Sequence, residues 1–167
     1  MGYTHYWTMP SEFSEDGWRK SISTIKKVIA KHKKLLAYES DQSLHPPRVS
    51  NGMVHFNGID EEGHETFIVE KIPEAWSFCK TAYKPYDQAV CECLLVFKAF
   101  LPGFSLSSDG FSGSLKSQQD GIVFDGTWNA ALEDVKAYGI DFKGVIVKER
   151  APYCDLNVVL ESIEDKP

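Results

Sequence analysis

The chain has 167 residues, 43% of them hydrophobic and 25% charged, with 18 basic against 24 acidic side chains and a formal charge of −6. Folding a chain of this size removes about 70% of its unfolded surface from water, enough for one domain (1–167) whose core needs no disulfide or metal staple. The composition excludes a disordered or fibrous chain, and the acidic balance excludes salt-sensitive wrapping of nucleic acid by the whole surface, leaving only a local basic site.

No apolar run approaches the roughly 18 residues of a membrane span, and Met1-Gly2-Tyr3-Thr4-His5-Tyr6-Trp7 lacks the basic and apolar segments of a signal peptide. The expectation is a cytosolic protein, in a host cytoplasm if a phage encodes it. Cysteines at 79, 91, 93 and 154 have no repeated spacing, so they read as reduced thiols filling the core, with no metal and no cofactor expected.

Tyr3 to Thr8 is aromatic and β-branched and predicts a strand with Tyr3, His5 and Trp7 on one face. Ser11 or Ser14 caps the next element, a helix whose stripe runs through Trp18, Ile22, Ile25, Ile29, His32 and Leu36. Its opposite face carries Arg19, Lys20, Lys26, Lys27, Lys31, Lys33 and Lys34, a solvated face by default and otherwise a landing patch for an acidic partner. Residues 39–51, with Pro46-Pro47, form a loop. Met53–Asn57 and Thr66–Ile72 alternate as paired strands around a hairpin connection at Gly58–His64, and Pro73 ends the pairing.

A second helix is expected over Tyr86–Leu101, with Pro85 at its entrance and Pro102-Gly103 closing it. Phe104–Ser108 predicts a strand. The Ser/Gly-rich stretch to Gly126 predicts a long loop with a short strand at Ile122–Phe124, and the segment 103–126 is a candidate lid. A short helix over Trp128–Tyr138, stopped by Gly139, and a terminal hairpin pairing Gly144–Lys148 with Leu156–Ile163 around Ala151-Pro152-Tyr153 complete the chain. The order predicts an α+β fold, a mainly antiparallel sheet with helices on one face, and a ferredoxin-like β-α-β-β-α-β core as its arrangement.

The densest chemistry is Phe78-Cys79-Lys80-Thr81-Ala82-Tyr83-Lys84-Pro85-Tyr86-Asp87. The first N–H groups of a helix are unpaired and sit at its positive end, so a chain entering a helix through Lys80, Thr81, Lys84 and Tyr86 offers a phosphate or carboxylate site. Tyr3, Tyr6, Trp7, Trp76, Tyr83 and Tyr86 lie in or beside this segment and the first strand, and stacking combined with an anion clamp suits a nucleotide. His5 and His55, each on a predicted strand, with Asp109 or Asp87 to orient one of them, form a candidate acid–base group.

The opening Gly2-Tyr3-Thr4-His5-Tyr6-Trp7, then Phe56-Asn57-Gly58, Glu65-Thr66-Phe67, Phe78-Cys79-Lys80-Thr81 with Lys84-Pro85-Tyr86-Asp87, and Ser107-Ser108-Asp109-Gly110 together resemble a family of small uncharacterised proteins of bacteria and bacteriophages. The resemblance covers blocks scattered over residues 2–110 and brings no established activity. It implies that His5, Trp7, Asn57, Lys80, Thr81, Lys84, Tyr86, Asp87 and Asp109 share one pattern that converges on a pocket. Occurrence in phages implies an anti-defence role: capture of a host signalling nucleotide or blockade of a host protein.

The leading expectation is a binding protein without turnover. It holds an anionic, nucleotide-like molecule with Lys80 and Lys84 on phosphate, Thr81 and backbone N–H groups donating, and Trp7, Tyr83 or Tyr86 stacking; Tyr3, His5, Asn57, Asp87 and Asp109 complete the ligand-binding set. A hydrolase or transferase acting on a phosphorylated substrate is the first alternative. An inhibitor that binds a host protein is the second, and self-association into a homo-oligomer is left open.

Overall fold

The computed structural model describes residues 3–112, 123–124, 126–150 and 155–162. Strand β1 (Thr4–Thr8) leads to helix α1 (Glu15–Lys31), short strands β2 (Leu36–Ala37) and β3 (Arg48–Val49), and β4 (Met53–Gly58). A 3-10 turn (Asp60–Glu62) precedes β5 (Phe67–Glu70), β6 (Trp76–Lys80) and helix α2 (Asp87–Phe100). Then come β7 (Ser105–Ser108), β8 (Phe111–Ser112), β9 (Val123–Phe124), helix α3 (Gly126–Asp134) with a 3-10 extension (Val135–Tyr138), and a hairpin of β10 (Phe142–Arg150) and β11 (Asp155–Ser162).

The fold is α+β with antiparallel pairing throughout the described ladders. Its arrangement differs from the expected ferredoxin-like core. β1 is central in a sheet ordered β6-β1-β7, whereas β4 pairs with β2, β3 and β5 in another sheet. The difference traces to β6, which Pro73 hides from a sequence reading: the chain turns at Glu74, where φ is +64°, and resumes as a strand two residues later.

Alternation along β1 decides the inner face: Tyr3, His5 and Trp7 are buried, and Tyr6 and Thr8 are half-buried on the other side. Trp7, Cys79 and Leu106 of one sheet and Val54, Phe56, Phe67 and Val69 of the other join a single core with Trp18, Ile22, Ile25 and Val28 of α1. Ser14 caps α1 by accepting from Gly17 N at 2.9 Å. The predicted stripe holds as far as Ile29; His32 is the C-cap, and Leu36 has already entered β2.

Helix α2 runs through the middle of the domain, buried at Asp87 and continuously from Ala89 to Phe97. Gly17 lets α1 cross it closely, because a Cβ there would stand 2.5 Å from the carbonyl oxygen of Phe100. α3 and its 3-10 extension pack against α2, and Gly139, at φ +79°, ends them in the left-handed conformation that its lack of a Cβ permits. The expected hairpin forms with Phe142 opposite Ser162 and Arg150 opposite Asp155, while its Ala151-Pro152-Tyr153 connection lies outside the described residues. Of the expected loop, residues 113–122 lie outside the described residues, and Val123–Phe124 pairs with Phe111–Ser112. Among the described residues no helix is long and apolar enough to cross a membrane.

Candidate functional site

His5 projects from β1 into the core, where its ring is fully buried between the edges of Tyr3 (centroids 5.0 Å apart) and Trp128 (5.1 Å). Its Nε2 lies 2.6 Å from Asp87 Oδ1 and its Nδ1 lies 2.7 Å from Ser108 Oγ. Asp87 opens α2, yet its carboxylate turns inward, accepting from Thr81 Oγ1 at 2.5 Å and, through Oδ2, from the Cys91 thiol at 3.8 Å. Three stretches far apart in sequence thus contribute to one buried polar cluster: β1, the turn after β6 with the first turns of α2, and the end of β7.

Counting donors and acceptors fixes the protonation of this cluster. Ser108 Oγ accepts from Trp128 Nε1 at 2.9 Å and from Gly110 N at 3.0 Å, which uses both of its lone pairs. Its own proton therefore goes to His5 Nδ1, which must be the unprotonated nitrogen. His5 Nε2 carries the ring proton and donates it to Asp87.

His5, Asp87 and Cys91 also place a nitrogen, a carboxylate oxygen and a sulfur within 4.8 Å of one another, a donor set of the kind that zinc takes. The surrounding hydrogen bonds run against that use. A metal on Nε2 would force Nδ1 to donate toward Ser108, whose oxygen already accepts from two N–H groups.

The segment expected to carry the anion site is a strand followed by a tight turn, and Asp87 rather than Tyr86 is the first helical residue. Lys80 ends β6, and Lys84 lies in the turn, so the two do not share a helix face. Tyr3 O accepts from both Thr81 N at 3.0 Å and Ala82 N at 3.3 Å, drawing Ala82 and Tyr83 into the left-handed region at φ +51° and +61°. Each such non-glycine residue costs about 1–2 kcal/mol. The turn gains a Tyr83 ring stacked on Tyr3 at 3.8 Å.

Trp7, Tyr86 and Thr81 are buried, which removes them from direct contact with a surface ligand. The Tyr86 hydroxyl donates to Glu65 O at 2.6 Å, and burial pushes its pKa far above the ordinary phenol value. Asn57 braces the 58–66 connection, donating to His64 O and Thr66 Oγ1 and accepting from Gly58 N and His64 N. Asp109 is exposed and accepts from Thr4 N rather than from a histidine. His5 and His55 do not meet: His55 alternates away from the core-facing Val54 and Phe56, stacks on Tyr38 and bonds Glu39 at 2.7 Å.

What remains at the surface is close together in sequence. The exposed aromatic side chains Trp76 (62% exposed), Phe78 (46%) and Tyr83 (66%) fall within eight residues on β6 and the turn after it. Trp76, Phe78 and Lys80 alternate onto one side of β6, and the first two rings sit 5.4 Å apart. Opposite them across the ladder, Phe78 faces Tyr6 and Lys80 faces Thr4. Lys84 Nζ donates to Glu61 O at 3.0 Å. On α1, Arg19 and Lys20 pair with Asp16, and Lys31 pairs with Asp134, which leaves the expected basic face less uniformly positive than its sequence.

Sequence reasoning named His5, Thr81, Asp87 and Asp109 but missed Ser108, Cys91 and Trp128 as partners of the cluster. Ser108 had a readable signal, since strand alternation places it with Leu106 on the buried face. Trp128 had none, because only packing brings α3 against the end of β7. No family model, curated protein or solved structure matches this chain.

Proposed function

We propose that the protein binds an anionic, nucleotide-like small molecule on the outer face of β6 and the turn that follows it, and holds it without turnover. The carrying observation is the pair of exposed rings Trp76 and Phe78, 5.4 Å apart on the same side of β6 as Lys80, followed in the turn by the exposed Tyr83 and Lys84. A base has a π-face that stacks on such rings, and each stack contributes about 1–3 kcal/mol by alanine substitution. An ammonium carries three donors, so Lys84 can keep its bond to Glu61 O while reaching a phosphate.

The exposed Glu61 and Glu62 and the half-buried Glu65 lie on the connection beside this segment and limit its positive potential, so affinity rests more on stacking than on charge. Stacking now falls to Trp76, Phe78 and Tyr83 in place of Trp7 and Tyr86. In a cell that signals infection with a nucleotide, a protein of this kind acts as a sponge by lowering the free ligand concentration.

Titration calorimetry with cyclic nucleotides, nucleoside mono- and diphosphates and ADP-ribose derivatives tests the reading. The expected result is saturable binding, weakened about tenfold or more by Trp76→Ala with Phe78→Ala and by Lys80→Ala with Lys84→Ala, with the ligand recovered intact. Silence across the panel, or binding indifferent to both pairs of substitutions, sinks it.

A further inference from the structure

We infer that the solvent face of α1 docks an acidic α-helix of another protein, a contact independent of the nucleotide-like site on β6. The sequence carries a repeat there: basic pairs stand at 19–20, 26–27 and 33–34, at seven-residue intervals. From Gly17 to Tyr38 there is no acidic residue, and this stretch holds seven of the 18 lysines and arginines of the chain. The first two pairs lie on α1, which ends at Lys31, and the third follows in the turn beyond it.

Helix geometry turns the repeat into two rows. Each residue rotates by about 100° and rises by about 1.5 Å, so seven residues return to nearly the same face about 10 Å further along. Ser23 and Ala30, both exposed and seven apart, mark a line along the outer face. Arg19 and Lys26 fall on one side of that line, and Lys20 and Lys27 fall on the other. The opposite side of α1 is fixed in the core by Trp18, Ile22, Ile25 and Val28, so the two rows face solvent. Between them the small side chains leave a low seam with cationic flanks.

The period identifies the occupant. Another α-helix laid along α1 presents its own side chains at the same seven-residue interval, placing a seam of small or apolar residues on Ser23 and Ala30 and carboxylates over the flanks. Charged rows beside a seam are what choose partner and orientation in paired helices. Lys26, Lys27, Lys33 and Lys34 are exposed, and among the described residues they pair with no acid of this chain. Arg19 and Lys20 share Asp16 in exposed pairs, which hold weakly and yield to an incoming carboxylate.

Two other polyanions fit the face less well. A formal charge of −6 repels a dense run of phosphates, and from Arg19 to Lys34 there is no Phe, Trp or Tyr on which a base stacks. An anionic bilayer takes up apolar side chains, and the seam offers it a serine and an alanine. A helix with a few carboxylates matches the patch in both extent and charge.

The test measures binding of the full chain by fluorescence anisotropy to a lactam-stapled helical peptide whose glutamates form two rows at seven-residue intervals around an alanine seam. A peptide of the same composition with scrambled glutamates and a DNA duplex of about 20 base pairs run beside it, with phosphatidylserine vesicles in a sedimentation arm. The expected result is binding of the ordered peptide at least about tenfold tighter than of the scrambled peptide or the duplex, with no vesicle binding. Lys26→Glu with Lys27→Glu should weaken it at least about tenfold, and Lys136→Glu, the same charge change on the 3-10 extension, by less than about twofold. Nucleotide binding on β6 should be unchanged in Lys26→Glu with Lys27→Glu, so the two readings fail separately. No binding of the ordered peptide at low salt, equal affinity for the scrambled peptide, tighter binding of duplex or vesicles, or indifference to Lys26→Glu with Lys27→Glu each overturns the inference.

Discussion

The imidazole of His5 and the carboxylate of Asp87 meet at 2.6 Å although 82 residues separate them, and the contact fastens the central strand of one sheet to the start of the central helix. Both groups are buried, so a cluster that loses one partner leaves the other without water to replace it. Asp87→Ala should therefore destabilise the fold by about 3 kcal/mol, since it takes the acceptor away from both His5 and Thr81. Thr81→Val should cost about 1–2 kcal/mol, having removed one donor of several. Urea unfolding followed by tryptophan fluorescence measures both, and equal losses would contradict the ordering.

Helix α2 carries a second buried acid, Glu92, with 0% exposure and a 2.5 Å bond to His32 at the C-cap of α1. Lys31 stands 3.5 Å from the other carboxylate oxygen and 2.9 Å from Asp134 of α3, so three helices meet at one ionic group. His32→Ala leaves Glu92 short of its nearest donor and should cost about 3 kcal/mol. Combining His32→Leu with Glu92→Leu should restore most of that loss, because a well-packed apolar pair has no desolvation to overcome. A double-mutant cycle on unfolding free energies checks it, and simple additivity of the two changes would refute the coupling.

Gly17 predicts a packing defect. A methyl group there would stand 2.5 Å from the backbone oxygen of Phe100 and 3.1 Å from Ser14 Oγ, the atom that caps α1. Backbone cannot swing aside as a side chain can, so Gly17→Ala should destabilise by about 1–3 kcal/mol even though alanine favours helix. A thermal midpoint at or above that of the native chain would show that the crossing of α1 and α2 is looser than the structure has it.

Alkaline pH should weaken the fold. Burial raises the pKa values of Cys79 and Cys93 above the ordinary 9.0 and that of Tyr86 above 10.0. Above pH 9 the unfolded chain releases these protons while the native chain keeps them. The native state then binds more protons, and stability falls as pH rises. The contribution is complete below pH 9.0 and is lost as the pH climbs toward the folded values. Lys98, whose pKa burial lowers, acts in the opposite sense below its ordinary 10.5. Urea midpoints from pH 7 to 10.5 should fall above about 9, with a shallower slope in Tyr86→Phe and in Cys79→Ala.

Local pattern made most of the elements legible. Period-two alternation put Tyr3, His5 and Trp7 on one face, and three- and four-residue spacing gave the buried stripe of α1 from Trp18 onward. Gly139 and the β-rich tail announced the end of α3 and the terminal hairpin. The strand at Trp76–Lys80 escaped because Pro73 reads as a stop, whereas the chain spends one positive-φ residue at Glu74 and starts again. That one strand changes the sheet order and with it the ferredoxin-like arrangement.

By itself, then, the sequence determined the class of fold, the buried faces and a short list of polar residues worth following, because hydrophobic periodicity and turn chemistry are local properties. Only the tertiary structure decided which of those residues meet. His5 joins Asp87 and Ser108 rather than His55 or Asp109, and Trp7 and Tyr86 go to the core while Trp76, Phe78 and Tyr83 stay outside. Strand order and helix crossing set such meetings, and both arise from the packing of segments whose separation along the chain carries no record of their distance in space.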